Sequence, residues 1–444
     1  MLTIHSSRSR YETFMHCMRQ GYLQWHYQGR GINKTSKDIA LMTGIWIHKG
    51  LEDIGKFLKQ FKTKTLPEDV LEGTIQRCKE GYFAEVFPPN WQEGGGGFDL
   101  SNETIDKWSK ERRELSEHEM LQRQQYTFDE QSALVEALLR IFVLRILPSW
   151  MEKYKLSAIE LELSFPIAKG EGFEVIQSAR VDWVLQEISS KDLFLINFKS
   201  YKSYDSRTAK GASHDTQGLS ESWAFDEYLK SKAIAKRIMG VQMLYLIKGI
   251  RKETKKGNGN YETHSPLIRG YRKLAFDGPE YAHSWFIPKL ENDSGIGIIG
   301  KAFEKFDVFN GIGLEEVGGV KGWIELLASG SVQEELPDPL LEQIVEPLPY
   351  TRHERDIASW FTQTKYREID IAQRLVLIQG KENEQYLDSL FPQNRGGCHY
   401  PTDCQFIPIC FGTEEERENP LEHGFVYRIP HHKAELIQIE KGEK

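Results

Sequence analysis

The stretch from Ile176 to Lys202, IQSARVDWVLQEISSKDLFLINFKSYK, restricts the possible folds of this chain more than any other. Val181, Trp183 and Leu185 alternate with other residues, and Leu193 to Phe198 forms a short apolar run after the polar Glu187 to Asp192, so two β-strands joined by a turn are expected. Asp182 lies in the first strand, after Arg180. Asn197 and Lys199 lie near the end of the second, one residue apart and therefore on one face. An aspartate, a second oxygen donor and a lysine on adjacent strands are suited to holding a divalent cation and a polarised water. Asn197 stands where that chemistry calls for a carboxylate: an amide oxygen can ligate a hard cation but brings no negative charge.

The chain has 444 residues, enough for two or three domains or one elaborated core, and 39% hydrophobic with 27% charged residues is ordinary globular composition. MLTIHSSRSRYETF has no apolar stretch of signal-peptide length, and the most apolar segment, Leu138 to Leu147, is broken by Arg140 and Arg145, so a cytoplasmic location with no membrane partner is expected. The net charge of −8 gives no general support to nucleic-acid binding, although the run KGIRKETKK, with Lys248, Arg251 and Lys252, is a local candidate for phosphate contacts or a solvated loop.

In chain order, a helix is expected from Ser36 to Lys62 with Thr35 or Ser36 as N-cap and His48 inside it, in the phrase GIWIHKGLE. The region from Thr63 to Gln125 reads as irregular, with a flexible loop at Gly94 to Gly97. A helix from Phe128 to Tyr154, interrupted near Pro148, leads into a strand at Ala158 to Pro166. That strand places Glu160 and Glu162 on one face, with Glu162 the candidate to support Asp182. Tyr201 to Ser220 reads as loop, Ser222 to Ile238 as helix, Gly240 as the changeover and Val241 to Ile247 as strand. Further on come a strand near Ser284 to Pro288, a glycine-rich segment from Gly295 to Gly319, and helices at Trp323 to Ala328 and Arg352 to Leu377. The expected fold class is α/β (α+β): a mixed central sheet flanked by helices.

Near the C-terminal end, Cys398, Cys404 and Cys410 fall within thirteen residues, with five residues between neighbours, while the rest of the chain has two cysteines. An odd cysteine count without a secretory signal points away from a disulfide framework. Three clustered thiolates point to a metal, zinc or an iron-sulfur cluster, with Cys17, Cys78 or His399 as the fourth ligand.

A cysteine near the N-terminus, a helix with a Gly-x-x-x-His phrase, an aspartate hairpin ending in x-x-Lys and three late cysteines together resemble the PD-(D/E)XK nuclease superfamily. Within it, the nearest pattern is the RecB-like branch with an iron-sulfur cluster, which includes CRISPR-adaptation nucleases, AddB-type helicase-nucleases and phage exonucleases. The resemblance runs from Cys17 to Cys410, through the motifs alone. It implies a restriction-endonuclease-like core at about residues 36–290, with insertions near 63–125 and 201–220. A segment at 1–35 would bring the first cluster cysteine, and a helical region at 291–444 the other three. By the same resemblance, His48 and Asp182 are metal ligands for Mg²⁺ or Mn²⁺, with Asn197 in the place of the second acid. Lys199 is the catalytic lysine, and Cys17, Cys398, Cys404 and Cys410 hold a 4Fe–4S cluster, or zinc in its place. The family's glutamine-tyrosine helix has no full match: Gln242 and Tyr245 have two residues between them rather than three and read as structural, and Gln217 is the substitute.

The implied activity is metal-dependent hydrolysis of phosphodiester bonds in DNA, as an exonuclease acting on single strands or free ends in DNA processing, recombination or repair, with a helicase or recombination partner. An inactive pseudo-nuclease serving as a DNA-binding or scaffold module is the alternative that Asn197 raises. A zinc-stapled protein of unrelated function is a third, and it requires His48 and Asp182 to lie far apart.

Overall fold

The hairpin is present at the centre of a six-stranded mixed sheet. The computed structural model describes residues 1–89, 91, 96–99, 117–201, 204, 208, 211, 215–236, 238–248, 251–254, 260–263, 319–329, 344–380, 384–399, 403–430 and 432–440. The strands are β1 (Leu2–Ser6), β2 (Ile32–Lys34), β3 (Tyr154–Gly170), β4 (Phe173–Glu187), β5 (Leu193–Tyr201), β6 (Ile238–Ile247), β7 (Arg251–Thr254), β8 (Asn260–Thr263), β9 (Ile344–Val345) and β10 (Phe425–Tyr427). The helices that flank the sheet are α1 (Arg8–His16), α2 (Met18–His26), α3 (Ile39–Phe61), α4 (Glu68–Val86), α5 (Glu117–Ile141), α6 (Leu147–Lys153), α7 (Thr216–Ser231), α8 (Gly319–Ala328) and α9 (Glu354–Ile378).

β3 runs antiparallel along β4, and β5 pairs antiparallel with the end of β4 through Trp183–Ile196 to Gln186–Leu193. β1 lies parallel to the start of β4, β6 parallel to β5, and β9 closes the far edge against β6. The parallel pair β5 and β6 is joined through α7, as a parallel connection requires. The sheet thus draws strands from the N-terminal segment (β1) and the C-terminal region (β9) as well as from the middle of the chain.

Alternation along the strands divides the core between the two faces. Ile196, Phe198, Leu244 and Leu246 pack with α3, α4, α5, α6 and α8, while Leu193, Leu195, Val241 and Met243 pack with α1, α2, α7 and α9. On the first face Trp183 and Phe198 meet edge-on at 5.3 Å, a contact worth about 0.5–1.5 kcal/mol beyond its buried area.

Several sequence expectations shift. The N-cap of α3 is Asp38 rather than Thr35 or Ser36, because its carboxylate accepts from Leu41 N at 2.6 Å. The irregular region hides α4, whose buried Leu71, Ile75, Cys78, Tyr82 and Val86 form a helical stripe. The interruption expected at Pro148 falls earlier: a π-helical segment occupies Phe142–Ile146, and Pro148 starts α6, where its missing N–H is tolerated. Thr216 to Ser220 is helix, since Asp215 caps α7 by accepting from Gln217 N at 2.7 Å. Gly240 lies within β6 and does not precede it. The strand expected at Ser284 to Pro288 and the glycine-rich stretch up to residue 318 lie outside the described residues, and the helices near Trp323 and Arg352 are α8 and α9. Among the described residues no helix is long and apolar enough to cross a membrane.

Candidate active site

The β4–β5 ladder ends at Trp183–Ile196, and the next residue of β4 is Asp182. Its side chain replaces the missing backbone pairing: Oδ2 accepts the N–H of Phe198 at 2.8 Å, which fixes the carboxylate between Asn197 and Lys199 where the strands part. His48 arrives from α3, with Nδ1 3.7 Å from Asp182 Oδ2 and its ring edge-on to Phe198. α3 comes this close because the same side of it carries glycines. A Cβ on Gly44 would lie 2.5 Å from Ser200 Oγ, and one on Gly55 would lie 2.8 Å from the Trp183 ring. The separation of His48 and Asp182 that an incidental hairpin requires is therefore not found.

Asn197 and Lys199 share the face that meets α7, as the two-residue period demands. Lys199 Nζ donates to Gln217 Oε1 and lies 3.5 Å from Asp215 Oδ2. Gln217 Nε2 donates to Asn197 Oδ1 at 3.2 Å and to Glu221 Oε1 at 2.7 Å. Gln217, a substitute by sequence, is thus the hub of the site. Glu221, which sequence reasoning passed over, stands four residues further along the same helix face; the signal available was the Gln-x-x-x-Glu spacing after the lysine strand.

Burial lowers the proton affinity of His48, opposed by Asp182, so its ring favours the neutral form that can ligate a metal. Burial first, and then Asp182, raise the Glu221 carboxyl to about 8. Glu160 is also raised to about 8 by the same two causes. It falls opposite Asp182, between the pairs Ile159–Trp183 and Leu161–Val181, with a left-handed backbone (φ 45°) and an ion pair to Arg180 at 3.0 Å. Glu160, not Glu162, is the β3 carboxylate beside Asp182. Glu162 accepts from Lys433 N at 2.6 Å and faces His432, away from the site.

Among the described residues no three His, Cys, Asp or Glu side chains converge on one metal position. What the site offers is one imidazole and one carboxylate 3.7 Å apart, with the Asn197 amide on the neighbouring strand, its oxygen accepting from Gln217. Asn197 is fully buried beside them, and Glu221 is 2% exposed. That donor set, hard oxygens with a neutral imidazole, fits a divalent cation such as Mg²⁺ or Mn²⁺.

Cys17 separates α1 from α2 and accepts from Asn394 N at 3.3 Å, so it lies against the segment leading to the late cysteines. Burial raises the thiols of Cys404 and Cys410, and Cys17 and Cys398 act in the same direction on both. Cys78 belongs to the α4 core, and its thiol is pushed up to about 12 by burial. His399, the other possible fourth ligand, is exposed and pairs with Asp403 at 2.7 Å. Among the basic residues, Lys248 is half-buried, donates to Ala40 O and is lowered to about 8 by burial, which weakens it as a phosphate contact. Arg251 and Lys252 lie in β7, and their side chains are outside the described residues. Gln242 is structural: its amide donates to Glu346 at 2.7 Å.

No protein-family model matches this chain, and no curated protein matches it in sequence.

Proposed function

We propose that this chain is a metal-dependent nuclease of the PD-(D/E)XK type, RecB-like, hydrolysing phosphodiester bonds in DNA. The observation that carries this reading is that His48 from α3, Asp182 from β4, and Asn197 and Lys199 from β5 meet where two strands part, although more than 130 positions of sequence separate His48 from Asp182. His48, Asp182 and the Asn197 carbonyl would hold Mg²⁺ or Mn²⁺, which when bound polarises a phosphate and acidifies a water. Asp182 is held in place by Phe198 N, and neutral His48 orients the ring nitrogen towards it. Lys199, kept by Gln217 and Asp215, places a positive charge where charge grows on the phosphate in the transition state. Cys17, Cys398, Cys404 and Cys410 are assigned as the ligands of an iron-sulfur or zinc staple between the two ends of the chain, with no part in the cleavage chemistry.

The test is cleavage of labelled single- and double-stranded DNA with Mg²⁺ or Mn²⁺, with and without free ends. Native activity falling about 100-fold or more in Lys199→Ala supports the enzyme. The absence of cleavage in the native chain and in Asn197→Asp alike rejects it. A second reading, a silenced DNA-binding module, is favoured by one observation: β5 brings no carboxylate, and the Asn197 oxygen is already engaged by Gln217. Cleavage by Asn197→Asp alone would establish it.

A further inference from the structure

Arg180 precedes Asp182 by two residues on β4, so the two side chains share a face of the sheet, about 6–7 Å apart along the strand. Its side chain is 48% exposed, and among the described residues its one ion pair runs from Nε to Glu160 Oε2 at 3.0 Å. Its charge reaches His48, which places it at the edge of the same site. We propose that Arg180 binds a phosphate of the DNA backbone next to the one that is cleaved, with Glu160 as the positioning residue that aims its guanidinium. This rests on the reading of the site as one that receives DNA.

Two observations carry it. The first is the backbone of Glu160, which is left-handed (φ 45°) in the middle of the long β3–β4 ladder, opposite Asp182. A residue with a Cβ adopts that conformation at a cost, and an ion pair with one partner half in water returns little stability. Strain of this kind persists where function requires one orientation, here that of a carboxylate gripping Arg180 at the rim of the site. The second is how the other cations nearby are engaged. Lys49 pairs with Glu52 at 2.9 Å and Asp53 at 3.8 Å, Lys199 is held by Gln217 and Asp215, and Lys248 Nζ donates to Ala40 O. Arg180 differs from these in kind: a planar guanidinium can keep Nε on a carboxylate while its terminal nitrogens meet phosphate oxygens. Asp182, Glu160 and Glu52 also put negative charge in the path of a polyanion, and a half-exposed guanidinium beside them offsets it.

The alternative is that the pair is only a staple between β3 and β4. Binding of a fluorescein-labelled single-stranded oligonucleotide to the full chain, followed by anisotropy without divalent metal over a series of salt concentrations, separates the two, together with thermal unfolding. Arg180→Ala is expected to weaken binding about tenfold and to lower the slope of log affinity against log salt by about 0.7, the share of one phosphate contact on a single strand. Its melting temperature should stay close to native, as for a surface substitution. Arg180→Lys should keep the salt slope and recover part of the affinity. Glu160→Gly, which suits the left-handed backbone, is expected to melt no lower than native yet to bind several-fold more weakly, because Arg180 is no longer aimed. Binding by Glu160→Gly as tight as native or tighter would overturn the positioning role. Native affinity and salt slope in Arg180→Ala, whatever its melting temperature, would make the pair a staple and overturn the phosphate contact while leaving the nuclease reading standing. A native chain that binds no DNA would overturn both.

Discussion

Asp182 Oδ2 accepts the backbone N–H of Phe198 at 2.8 Å, at the first position where β4 and β5 cease to pair. One oxygen of the carboxylate therefore serves the fold. Asp182→Ala leaves a buried N–H without a partner and is expected to cost about 1–3 kcal/mol. Asp182→Asn keeps an acceptor and should unfold close to the native temperature while losing Mn²⁺ binding. Urea titration with metal binding on both variants checks the pair; equal destabilisation would show that the carboxylate does not anchor the strand.

Gly55 lets α3 approach the sheet. A methyl group there would lie 2.8 Å from the ring of the fully buried Trp183, which has no room to turn. Alanine is normally the better helix former by about 1 kcal/mol. Here Gly55→Ala is expected to destabilise by about 1–3 kcal/mol through overpacking, and to lower metal affinity by moving His48 away from Asp182. A gain in stability would show that the helix can shift freely.

Arg10 and Glu368, both buried, form an ion pair across 358 positions, and Ser6 Oγ donates to the same carboxylate at 2.7 Å. Glu368→Ala should cost about 3–5 kcal/mol by stranding the guanidinium, whereas replacing both with apolar residues should cost much less. Denaturant unfolding of the single and double variants measures the difference.

His26 Nε2 accepts from Arg10 Nε at 3.2 Å, and burial, followed by Arg10 and Arg428, holds its proton affinity well below the ordinary histidine value. A histidine depressed in the folded state contributes stability that is present above its unfolded value of about 6.5 and is lost as pH falls below it. The melting temperature is therefore expected to drop between pH 7.5 and pH 5, and His26→Gln to flatten that drop. An unchanged slope in the variant would assign the loss to other groups.

The cysteine assignment is checked by colour. Protein purified without oxygen should show broad visible absorption if iron-sulfur is bound and none if zinc is bound. Cys404→Ser should lower thermal stability, while Cys78→Ser should leave the bound metal content unchanged. Metal retained in full by Cys404→Ser rejects the staple.

The hairpin, the helix carrying His48 and the alternation of β5 were legible because each is a local pattern: a period of two, a period of 3.6, a turn between apolar runs. What escaped is long-range. Glu160 and Glu162 look equivalent along β3, and only the register with β4 and the packing of His432 decide that the first faces Asp182 while the second serves the C-terminal segment. The start of α7 was obscured by the polar run before it, in which Asp215 reads as loop until its side chain is seen capping the helix, and that misreading hid the Gln217–Glu221 face. Asp38 displaced the expected caps of α3 for a similar local reason that composition alone does not rank.

The Arg10–Glu368 pair also sets an order of events during synthesis. A ribosome delivering this chain releases α1 long before α9, and until α9 has emerged Arg10 lacks Glu368, its ion-pair partner among the described residues. The first helix must then wait in water, and domain-by-domain folding from the N-terminal end is unavailable to this sheet. α1 and α9 lock together only after α9 has been made.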